Sequence, residues 1–151
     1  MIDYDIAEIL PHNPPMIVID KVIDYNLEEK WLISQVEIKE KSIFFDKSID
    51  GISSSVGIEF MAQTIGCYAF FNNGCKSAKI GFLLGSRLYN TGIEYFKNNE
   101  VYTVKVKEIF TDEQIVAFDC IIYDKDEEEV ASATVNVYQS DDAERLLTQN
   151  D

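Results

Sequence analysis

The segment Ser53 to Phe71, SSSVGIEFMAQTIGCYAFF, predicts one long helix that is apolar on nearly every side. A helix of that kind cannot lie on a surface with one face in water; it must be covered all round. The serines at 53 to 55 supply N-cap candidates, because a hydroxyl accepts from the open amides of a first turn. Asn72-Asn73-Gly74 is a helix stop. Within the helix, Gly57, Ala62, Gly66 and Ala69 are small enough to let a sheet or a partner helix approach closely.

What covers the helix is found on either side of it. Residues 16–26, MIVIDKVIDYN, and 28–40, EEKWLISQVEIKE, read as strands joined through the turn DYNLEE. In the second run Trp31, Ile33, Val36 and Ile38 mark a half-buried antiparallel partner. Residues 41–55 read as a polar loop. After the helix come four strand-like runs, KIGFLLGSRLY, EVYTVKVKEIF, QIVAFDCIIYD and EVASATVNVYQ. A short helix over 3–9 stops before Pro11, and LPHNPP is a rigid linker. The expected fold is therefore α+β: an antiparallel sheet wrapped around a central helix, the hotdog arrangement. It occupies 1–151 as a single domain, with 139–151 a loose tail.

At 151 residues the chain suits one such domain. The run MIDYDIAEIL begins acidic, unlike a secretory signal, and no apolar run reaches a membrane span, so a cytoplasmic protein is expected. Cys67, Cys75 and Cys120 have no paired metal-ligand spacing and read as reduced thiols, with no metal site expected. A net charge of −14 argues against nucleic acid. Yet residues 76–107 hold six Lys or Arg against two Glu. This is either a solvated strand face or a docking patch for an acidic partner or an anionic ligand.

The polar residues of the helix are the candidates for chemistry. Ser55, Glu59 and Gln63 stand four apart and would form one polar stripe from the N-terminal end, where the helix dipole favours negative charge. A buried carboxylate costs on the order of several kcal/mol unless it is paired, hydrogen-bonded or protonated. Periodicity leaves two roles open for Glu59 and Gln63: tethers for loop backbone, or an acid–base site. His12 is the only histidine and hence the one imidazole candidate. Arg87, after an apolar strand, has a fork suited to carboxylate or phosphate.

Four motifs in order give the chain a resemblance. LPHNPPMIVIDKV resembles the opening LPHRxPxLLxDRV of FabZ-type 3-hydroxyacyl-ACP dehydratases, and IEFMAQTIG resembles their central-helix signature LEAMAQ. The nearer resemblance is to the ApeP-like branch from aryl-polyene gene clusters, through LPHxxPM, xxEIMAQ, LGxR and a last strand like VNVYQ. It implies a hotdog fold, a homodimer or a heterodimer with a related subunit, and substrates held as thioesters on the phosphopantetheine of acyl carrier protein, with no further cofactor. It implies catalysis by Glu59 and substrate contacts at Ser55, Gly57, Gln63, Gly85 and Arg87. The amides near Gly57 or Gly85 would polarise the thioester carbonyl.

One departure stands out. FabZ-type enzymes pair the helix glutamate with a histidine in a GHFP loop, and FFDKSIDGISSSVG has none. The ApeP-like branch resembled here lacks it too. His12 is the one replacement, although its counterpart in FabZ-type enzymes is not their catalytic histidine. Three readings follow: a dehydratase-like enzyme, an inactive hotdog subunit that stabilises an active dehydratase, and a thioesterase in which Glu59 or Asp46 activates water. Under each, Lys76, Lys79, Arg87 or Lys97 would meet the acidic carrier.

Overall fold

In the computed structural model the described residues are Ile6, 17–74, 81–112 and 115–139, with backbone alone described at 81–87 and at 138 and 139. Alternation of apolar residues builds a six-stranded antiparallel sheet. Its strands are β1 (Lys21–Asn26), β2 (Trp31–Glu37), β7 (Val101–Asp112), β8 (Ile115–Tyr123), β9 (Glu129–Gln139) and β5 (Gly81–Thr91), in that spatial order. The inward positions are Leu32, Ser34 and Val36 on β2 and Tyr102, Val104 and Val106 on β7. Phe118, Cys120 and Ile122 on β8 and Ala131, Ala133, Val135 and Val137 on β9 continue them, and all are buried. Their neighbours along each strand are half-exposed or exposed, apart from Ala117 and Val130, as period-2 patterning requires.

The β1–β2 hairpin turns where the sequence places it. Asn26 Oδ1 accepts from the Glu29 amide at 2.9 Å, and Lys30 takes a left-handed φ of 66° to close the turn. The first strand is shorter than expected, starting at Lys21 rather than residue 16.

The single long helix, α1 (Gly57–Asn72), packs on this sheet and is preceded by a 3-10 turn over Ser54–Val56. Phe60, Met61, Cys67 and Tyr68 on α1 are buried with Leu32, Val104, Phe118 and Val135 in one core. Tyr68 meets Phe118 edge-on at 5.5 Å between centroids. One polar pair lies in this core: the Ser34 and Thr64 hydroxyls are 2.7 Å apart, and Thr64 donates to the Phe60 carbonyl at 2.7 Å.

The expected loop over 41–55 is not all loop. Within it β3 (Phe45–Asp46) and β4 (Gly51–Ser53) pair, and β4 also pairs with β6 (Tyr95–Lys97), forming a three-stranded sheet. Strands of two and three residues carry too little alternation to be read from sequence. The expected helix over 3–9, apart from buried Ile6, and the tail beyond Gln139 lie outside the described residues. Among the described residues no helix is long and apolar enough to cross a membrane, and no three side chains cluster as metal ligands.

Candidate functional site

The serines do not cap α1 directly. Ser53 Oγ accepts from the Ser55 amide at 3.3 Å and so caps the 3-10 turn, while the residue before α1, Val56, makes no side-chain cap. Ser55 is therefore wound on a tighter spiral than Glu59, is exposed, and shares a 2.9 Å hydroxyl contact with Ser53.

Glu59 and Gln63 do face each other, one turn apart. Gln63 Nε2 donates to Glu59 Oε1 at 2.8 Å, and Gln63 Oε1 accepts from the Val18 amide at 2.9 Å. Gln63 is buried, so this amide ties the backbone leading into β1 to the helix and fixes the carboxylate from one side. Nearly all of α1 is buried. Ile58, Glu59, Ala62 and Gly66, half-buried, share one side of it. At 100° per residue these four span a single stripe. Glu59 thus lies at the N-terminal end of the least covered strip of an otherwise enclosed helix.

The turn ahead of Glu59 is held by a residue that sequence reasoning missed. Tyr89, on β5, donates its hydroxyl to the Ser54 carbonyl. The same carbonyl accepts from the Gly57 amide, and the Ser54 amide donates to the Glu94 carbonyl at 3.0 Å. A Cβ on Gly57 would stand 2.3 Å from the Tyr89 hydroxyl, so glycine is needed here for space. Burial pushes the Tyr89 phenol up to about 12. Tyr89 sits where β5 leaves regular register with β9, between Arg87 and Asn90, and its neighbour Leu88 has φ 58° and is 81% exposed. A lone Tyr in a strand-like run carries no signal for this; the glycine in a helical first turn was the available hint.

Gly85 and Arg87 lie on β5, paired with Asn136 and Thr134 of β9. His12, Lys76, Lys79 and Cys75 fall outside the described residues. Asp46 is exposed on β3 and accepts from the Ser48 amide at 2.9 Å and its hydroxyl at 2.6 Å, bonds that hold its carboxyl below the usual range and make it a weaker base. Of the basic run, Lys97 is exposed on the small sheet, and Lys105 lies 5.4 Å from the Trp31 ring on the large one. Cys67 and Cys120 are free and buried, and burial raises the Cys67 thiol to about 12.

Comparison with known proteins agrees with this architecture. A chain of the dehydratase heterocomplex ApeI:P from Xenorhabdus doucetiae superposes with a TM-score of 0.84 at 22% identity, covering 98% of this chain and 99% of that one. A hypothetical thioesterase with coenzyme A from Streptococcus pneumoniae TIGR4 gives 0.63 at 12% identity, over 80% and 84% of the two chains. The E. coli PaaI protein from the phenylacetic acid degradation operon gives 0.62 at 9%, over 79% and 82%. At these identities the structures establish the hotdog fold. No curated protein sequence matches significantly. The ApeP-like family, described as ApeP dehydratase, matches residues 4–148, and the chain belongs to that family.

Proposed function

We propose that this chain supplies one half of a dehydratase active site, with Glu59 as its acid–base group. The substrates are 3-hydroxyacyl thioesters carried on the phosphopantetheine of acyl carrier protein. The observation that carries the reading is the placement of Glu59: a carboxylate fixed by Gln63 on the least covered stripe of a buried helix.

Dehydration removes a proton from C2 and expels the C3 hydroxyl as water, leaving the 2-enoyl thioester. A base must take the first proton and an acid must protonate the leaving oxygen. Glu59 can serve one of these roles. The segment ahead of α1 offers Asp46, committed to Ser48, and no histidine. The likeness to a chain of a heterocomplex supports a related hotdog subunit as the source of the second group. The long strand β5 ends the large sheet, and among the described strands only β9 pairs with it. Such an edge is a natural place for a partner strand to add.

The test is to assay the chain alone and co-expressed with a histidine-bearing hotdog partner on a 3-hydroxyacyl carrier protein. Enoyl product is expected from the complex. Glu59→Gln should lower turnover by roughly 10²–10⁴ while the complex still assembles. A Glu59→Gln complex with wild-type turnover refutes the role of Glu59, and release of free thiol would establish the thioesterase reading instead. Carrier binding through Lys97 and Arg87 should weaken steeply with salt; a flat response refutes that docking mode.

A further inference from the structure

We propose that Tyr89 is a positioning residue that couples the edge strand β5 to the first turn of α1 and so sets the aim of Glu59. The inference rests on Glu59 as the acting group, and it concerns how that group is held.

Three contacts converge on the turn. The Tyr89 hydroxyl donates to the Ser54 carbonyl, the Gly57 amide donates to that same oxygen, and the Ser54 amide is fixed to Glu94. Gly57 has no side chain because the phenol stands where a Cβ would go. Glu59 follows two residues later in the same rigid helix, so a rotation of the turn displaces its carboxylate. Val56, the residue before α1, makes no side-chain cap among the described residues. Tyr89 itself projects from an irregular stretch of β5 beside fully outward Leu88, in the strand that ends the sheet. A change in the path of β5 therefore reaches Ser54 through one ring packed against the core. A tyrosine that only filled space would need neither the shared carbonyl nor the excluded Cβ.

Tyr89→Phe keeps the ring and removes the bond. By hydrogen–deuterium exchange on the isolated chain, the amides of Ser55 to Ile58 should exchange roughly 10-fold faster while those of β7 and β8 stay unchanged. In the active complex kcat should fall about 10-fold with KM unchanged, since a misaimed acid–base group affects the chemical step. Unchanged exchange at Gly57, or acceleration spread evenly through β7 and β8, overturns the coupling. The exchange result needs no activity, so it separates this inference from the catalytic reading, which Glu59→Gln tests in the same complex. Normal local loosening with unaltered kcat would likewise overturn the role of Tyr89 in aiming Glu59.

Discussion

Replacing Gly57 by Ala tests the tightest packing contact in the site. In an ordinary helix this change stabilises by about 0.5–1 kcal/mol, because glycine loses more backbone freedom on folding. Here the new Cβ would lie 2.3 Å from the Tyr89 hydroxyl, 3.1 Å from Phe96 Cζ and 3.2 Å from Ile122 Cδ1. The latter two require a few tenths of an ångström of adjustment in buried side chains. The first cannot be met without moving the phenol off Ser54, which forfeits a hydrogen bond worth ~1 kcal/mol and leaves strain on the order of 1–3 kcal/mol. After the helical gain is subtracted, Gly57→Ala should destabilise by about 1–3 kcal/mol, a fall in Tm of roughly 3–10 °C for a chain this size. A double-mutant cycle isolates the cause. In a Tyr89→Phe background the hydroxyl is gone, so the same Ala should cost about 1–2 kcal/mol less. Equal cost in both backgrounds, or a Gly57→Ala protein as stable as the wild type, refutes the claim that the hydroxyl dictates this glycine.

Other outcomes follow from contacts elsewhere. Gln63→Leu should cost about 1–3 kcal/mol by leaving the Val18 amide unpartnered, with accelerated exchange at Val18 as the local signature. Thr64→Val should cost on the order of 1–3 kcal/mol, because it strands the buried Ser34 hydroxyl, and adding Ser34→Ala should recover part of the loss in chemical denaturation. The Tyr89 phenol titrates near 12 in the folded protein, above the ordinary ~10. Its contribution to stability is full below pH ~10 and is lost as pH rises towards 12. The stability gap between wild type and Tyr89→Phe should therefore narrow over that interval in denaturant titrations. Cys67 should resist alkylation at pH 8 until the protein unfolds, since burial raises its thiol to about 12.

The large sheet and the helix were legible because both carry long periodic runs. Val36, Val104 and Val106 alternate with more exposed neighbours, and α1 is apolar on nearly every side over its sixteen residues, although on β2 it is Leu32 and Ser34, not the expected Trp31 and Ile33, that are buried. The hairpin at Asn26 to Trp31 was legible through its turn chemistry. The small sheet was not, because β3, β4 and β6 are two or three residues long with little local pattern of their own, and β4 finds β6 some forty residues away. The same reason hid Tyr89, whose partner Ser54 lies thirty-five residues away. Ser55 lies outside α1, in the 3-10 turn that precedes it, a local change in winding that spacing by fours does not reveal.

The sequence left Glu59 and Gln63 between two roles, structural tether and acid–base site, and the geometry shows why these need not compete. Gln63 spends its carbonyl on the Val18 amide and its amino group on Glu59. A side-chain amide bonded at both ends cannot rotate without breaking one bond, so the tether that anchors the entry to β1 also fixes the carboxylate. Tyr89 acts on the other side of the same residue, through the turn that starts the helix. Glu59 is thus constrained from the segment leading into β1 through Gln63 and from β5 through Tyr89. These are the two strands that end the large sheet. If a partner subunit supplies the second acid–base group, its distance to Glu59 must be reproducible to a fraction of an ångström, and a carboxylate tied to both edges of the sheet meets that demand. Gln63→Leu and Tyr89→Phe should accordingly each lower turnover of the complex, and together lower it less than the product of their separate effects, since either alone already releases the carboxylate. Strictly multiplicative losses would mean that the two tethers act on different features of the site.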